Sequence, residues 1–146
     1  MTGQQPTAQQ RSGFPRRDAE GRILTLGDLL GVSLAGWVIG MLALVLFDWA
    51  FAVAGAGDFG RTNGWLAVIL PVWLFWDEFR AWDFGAARVV AALAAAVVAV
   101  VAGLLVAGLA AGLAPLFTGG LAALAFTVGY AVLWFQGVHW LARRTG

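Results

Sequence analysis

The sequence predicts an all-α protein: an integral membrane four-helix bundle with both termini in the cytoplasm and a disordered N-terminal tail. Three observations predict it. Of 146 residues, 61% are hydrophobic and 12% charged, with a mean hydropathy of +0.83, whereas soluble domains carry about a quarter charged residues. Four apolar segments, near the roughly 20 helical residues needed to cross a ~30 Å hydrocarbon core, take up most of the chain. The nine basic residues are all arginine, and they crowd to one side of those segments.

Residues 1–22 are rich in Gln, Gly, Pro and Arg without apolar periodicity, which predicts a disordered cytoplasmic tail. The remainder, 23–146, forms one four-span transmembrane domain. Span one covers 26–48. It opens at Thr25-Leu26-Gly27-Asp28, where a hydroxyl and a carboxylate can satisfy the first free amides of a helix. Asp48 follows after about 33 Å of helix, at the far interface. Span two covers 64–82, with Asn63 as its cap, and span three covers 84–113, with Asp83 at its cap position. Span four covers 118–142, and Pro115 with Gly119-Gly120 marks the turn before it.

Orientation follows from the arginines. Arg11, Arg16, Arg17, Arg22, Arg80, Arg88, Arg143 and Arg144 flank one side and Arg61 alone the other, so the positive-inside rule places both termini in the cytoplasm of a multi-pass cell-membrane protein. Trp49 and Trp65 fall at outer ends, and Trp76, Trp82 and Trp140 at inner ends.

Small residues recur every fourth position in span three: Ala87, Ala91, Ala95, Ala99, Gly103, Ala107 and Ala111. Gly108 and Gly112 add a second pair, and Gly36-x-x-x-Gly40 in span one and Ala125-x-x-x-Gly129 in span four offer partner faces. Such stripes let helix backbones approach closely where lipid supplies no hydrophobic drive to association.

The stretch from Pro71 to Arg88 sets ionisable groups among aromatic rings. On a helix, Arg80 can bridge Asp77 and Asp83, leaving Glu78 without a comparable local partner. As structure, this is a self-neutralised turn in an aromatic belt. As function, Glu78, Asp77, Arg80 and Asp48 are the candidate ion or substrate contacts, because carboxylates at bilayer depth mark ion paths and proton relays. If the cluster is only structural, Glu78→Gln is expected to be silent.

Much is excluded. There are no cysteines, so disulfides, thiolate catalysis and Cys-ligated metals are absent, and the lone His139 cannot build a metal centre within one chain. Asp58-Phe59-Gly60 and Asp83-Phe84-Gly85 spell a kinase tripeptide without any other kinase element. Neither cofactor nor nucleic-acid partner is expected. The reading is a non-enzymatic membrane component, homo-oligomeric or an accessory subunit beside other membrane subunits. The alternative is a small ion- or proton-coupled transporter using the Asp77/Glu78/Arg80 cluster. A lipid-headgroup enzyme using Asp77, Glu78, Arg88 and His139 has least support.

Overall fold

The computed structural model describes residues 15–83 and 85–145. It is all-α: α1 (Leu26–Val53), a 3-10 segment (Gly64–Val68) running into α2 (Ile69–Ala81), α3 (Ala86–Leu109) and α4 (Pro115–Thr145). Helices α1, α3 and α4 are long and apolar enough to cross a membrane. Three of the expected spans are bounded differently, the fourth being three residues longer at each end. The first runs five residues past Asp48, and the third is shorter at both ends.

Each start has a local cause. The Thr25 hydroxyl accepts from the Asp28 amide at 3.1 Å, and Asn63 Oδ1 accepts from the Trp65 amide at 3.0 Å, each satisfying one free donor of a helix start. The expected Asp83 cap is absent. Gly85 precedes α3 instead, at φ +56°, a left-handed conformation that suits glycine. Pro115 does not mark a turn but opens α4, where its missing amide hydrogen costs nothing. Gly119 and Gly120 likewise lie inside α4, buried.

Helix α4 is the spine. It packs along α3, α1 and the 3-10 segment, while α3 meets almost nothing else and α1 lies against α2. Backbone proximity explains the glycines. At Gly64 a Cβ would fall onto the Leu116 carbonyl oxygen and the Gly120 amide nitrogen, and one at Gly119 would lie 2.6 Å from the Trp65 amide nitrogen. Bulk is excluded on both sides of this crossing.

The span-three stripe divides. Ala95, Ala99 and Gly103 are buried, Ala91 and Ala107 are half-buried, and Ala87 and Ala111 are exposed. A Cβ on Gly129 would approach Ala99 Cα at 3.6 Å, and one on Gly103 would lie 3.0 Å from the Ala122 carbonyl oxygen, so the inner part of the stripe lies against α4. Gly108 and Gly112 face open space. Gly36 and Gly40 approach Pro71 and Ala67, which makes them seats for the 3-10/α2 segment and not for α3.

Of the tail expected to lack structure, residues 1–14 lie outside the described residues. Residues 15–25 form a tight reversal with antiparallel pairing between Arg17 and Ile23. Asp18 Oδ1 accepts from the Glu20 and Arg22 amides at 3.0 and 2.9 Å, an Asx-type turn, and Gly21 takes φ +85°. The apolar content of this segment is low, but Ile23 is 1% exposed. One plug and a set of polar contacts substitute for an apolar face.

Candidate functional site

Glu78 lies in the last turns of α2 and is 1% exposed. Its position follows from helical spacing: Pro71, Phe75, Glu78 and Trp82 fall on the buried face, whereas Asp77 and Arg80 are exposed on the other side. The carboxylate is occupied. Oε1 accepts from the Ile23 amide at 2.9 Å, and Oε2 accepts from the Trp82 indole at 3.1 Å. Arg17 Nη1 stands 3.9 Å from Oε1. A buried carboxylate is tolerated when its lone pairs are met by donors and a cation is near, and the reversal at 15–25 supplies both.

Around this carboxylate the 15–25 reversal, the last turns of α4 and the α2–α3 turn meet. The Arg22 guanidinium carbon lies 4.7 Å above the Trp82 ring. Arg22 also pairs with Asp18 and Glu20, each at 3.0 Å. The hydrogen bond to Glu20 is the main reason the Arg22 pKa lies above its ordinary value, against the opposing effect of desolvation. On the far side, His139 meets Trp82 edge-on at 5.0 Å and stacks on Phe135 at 3.9 Å, with Nδ1 2.9 Å from the Phe135 carbonyl oxygen. Arg16 donates to Asp28 Oδ2 through its amide and Nε, at 3.0 and 3.1 Å. Arg88 Nη1 donates to the Phe79 and Trp82 carbonyls at 3.2 and 2.7 Å, placing a cation where the α2 carbonyls run out.

The expected Asp77–Arg80–Asp83 bridge does not form: among the described residues no ion pair uses any of the three. Asp77 and Arg80 share a face of α2, but Glu78 turns from it, so the cluster is not one site. Asp48 lies at the opposite end of the fold, 4% exposed. It accepts from the Gly60 amide and from the amide and hydroxyl of Thr62, and the Gly60 carbonyl in turn accepts from the Leu116 amide at 3.0 Å. Asp48 therefore fastens the 54–63 loop to α1, and Gly60 carries the connection on to the start of α4. Asp48→Ala is expected to speed hydrogen exchange at the Gly60 and Thr62 amides while leaving the Ile23 amide unchanged, because only the first two lose their acceptor.

Sequence reasoning missed the hairpin, the Arg88 cap and an aromatic column along α4. In that column Phe126, Tyr130 and Trp134 follow at intervals of four, stacked at 6.0 and 6.3 Å, and Phe75 meets Tyr130 at 4.4 Å. The four-residue spacing was the available signal for the column. Trp37 finds an acceptor in the Gly120 carbonyl at 2.9 Å; the buried Trp134 indole finds none among the described residues. No group of three or more His, Cys, Asp or Glu side chains that could hold a metal occurs among the described residues. Comparison with protein-family models, curated proteins and solved structures finds no match to this chain.

Proposed function

We propose that the chain is a non-enzymatic membrane component that crosses the bilayer four times, keeps both termini in the cytoplasm, and works by presenting helix faces to copies of itself or to other membrane subunits. The fourth crossing is the 3-10 segment joined to α2, which together rise about 25–30 Å, close to the hydrocarbon thickness. The observation that carries the reading is the packing of α3. It touches α4 along one face, while Val90, Leu93, Val97, Leu104 and Leu105 on its outer surface are more than half exposed. A face of this size and apolarity is sustained by lipid or by another helix. Transport draws no support from an arrangement in which Glu78 is closed by the chain's own backbone and Asp77 and Arg80 stand outside.

Because the chain has no cysteine, single Ala19→Cys, Ala56→Cys and Leu113→Cys variants test the crossings directly. In intact cells an impermeant maleimide is expected to label Cys at 56 and 113 and not at 19; labelling at 19 would contradict the topology. Extraction in mild detergent is expected to yield a species larger than one chain, with Leu104→Arg on the outer face of α3 reducing it to a monomer while the helical content is retained. A monomer from the unaltered protein would remove the assembly role.

A further inference from the structure

We propose that the apolar groove between α2 and α3 binds an acyl chain of an anionic glycerophospholipid of the cytoplasmic leaflet, with Arg88 receiving its phosphate. The inference rests on the membrane reading above, and it commits to a lipid as the occupant.

The groove exists because α2 and α3 make almost no direct contact, although a short turn joins them. Each leans on a different part of the fold, leaving a cavity of about 310 Å³ between them. Phe75, Trp76 and Phe79 form one wall, Ala92 and Ala96 the other, and Tyr130 lies on the floor. No polar atom contributes to its surface. Ala92 and Ala96 leave the space that larger side chains would fill, and the Phe75–Tyr130 contact at 4.4 Å makes the floor firm. Along α2 the lining runs from Val72 to Phe79, about 10 Å of helix. That length suits the part of an acyl chain nearest the headgroup, since one leaflet contributes about half of a ~30 Å core.

What selects a phospholipid, and an anionic one, is the end of the groove beside the α2–α3 turn. There the Arg88 guanidinium carbon sits 4.5 Å from the centre of the Phe79 ring, the last aromatic of the wall. Its Nη1 is engaged by two backbone carbonyls, which fix the side chain; Nε is buried without an acceptor, and among the described residues no hydrogen bond uses Nη2, the nitrogen left to meet a phosphate. Arg16, Arg17, Arg22 and Arg61 each pair with a carboxylate; Arg88 pairs with none among the described residues. A positioned, unneutralised guanidinium at the headgroup end of an apolar slot complements a phosphate whose acyl chain enters that slot.

The test is native mass spectrometry of the full chain in mixed micelles holding equal amounts of phosphatidylglycerol and phosphatidylcholine. One lipid is expected to stay bound, with phosphatidylglycerol favoured about tenfold: both lipids offer Arg88 the same phosphate, but phosphatidylcholine also brings a trimethylammonium that the guanidinium repels. Ala96→Phe, or Ala92→Leu if the first misfolds, fills the groove and is expected to abolish retention of both lipids. Arg88→Gln is expected to keep a bound lipid but lose the preference, and Arg88→Lys to restore part of it. Equal retention of the two lipids, or retention unaffected by both groove-filling variants, would overturn the proposal. So would a dimer that Ala96→Phe splits, which would make a second copy the occupant. Failure of the membrane reading itself is distinguishable, because the protein would then stay dissolved without detergent.

Discussion

Gly64→Ala is expected to destabilise the fold by about 3 kcal/mol or more, at the upper end of what overpacking costs. The added methyl group would be driven into the Leu116 carbonyl and the Gly120 amide. Both are backbone atoms inside the first turns of α4, so no side-chain rotation relieves the clash. Gly64 is buried and lies at the 3-10 segment's own start, next to the Asn63 cap. The segment and α4 must therefore separate, disturbing the contact through which α2 reaches the spine. Gly108→Ala is the control. Nothing among the described residues lies within 4 Å of the methyl it would add, and replacing a glycine in the last turn of a helix, as here in α3, changes stability by no more than about 1 kcal/mol. Thermal unfolding of the two variants in the same detergent should separate them widely; similar midpoints would mean that the 3-10 segment does not meet α4 in this register.

Glu78→Gln is the second large effect, and the site geometry reverses the silence expected of a merely interfacial acid. The two carboxylate oxygens meet two separate N–H donors, from Ile23 and Trp82. An amide offers one oxygen and one NH2, so either rotamer sets a donor against a donor. One buried N–H is then left without an acceptor, at a cost of about 1–3 kcal/mol. Glu78→Leu removes both acceptors and is expected to cost more, about 3–5 kcal/mol, because the nearby Arg17 also loses its counter-charge. A specific signature separates this from general damage. The Ile23 amide should exchange with solvent early, and a protease should cut within residues 15–25 before the helices unfold. If Glu78→Gln leaves that segment protected, the carboxylate does not hold it.

The legible parts of the fold were those decided within a few residues. Helix starts at Thr25 and Asn63 follow from side chains that reach amides two or three positions away, and the apolar runs announce themselves by length. Glu78 stood out as an acid without an arginine at helical spacing; its actual partners are 55 residues upstream and four downstream. The hairpin was illegible for a related reason. Its composition resembles that of an unfolded tail, and its order depends on an acceptor in another helix.

Glycine was ambiguous in both directions. Gly119-Gly120 looks like a turn and is a contact surface, because removing side chains serves close approach as well as flexibility. Gly108-x-x-x-Gly112 and Gly36-x-x-x-Gly40 spell the same motif, yet among the described residues only the second lies against a partner. The choice belongs to the tertiary arrangement and leaves no trace in spacing.

Helix α4, which holds the other helices, is also the one synthesised after them. While residues 26–109 emerge from a ribosome delivering about 5–20 residues per second, α3 has no companion of its own and the Gly64 crossing has no counterpart. Maturation of this chain is therefore a waiting problem for the insertion machinery, and truncations within α4 should be cleared by quality control as efficiently as far larger deletions.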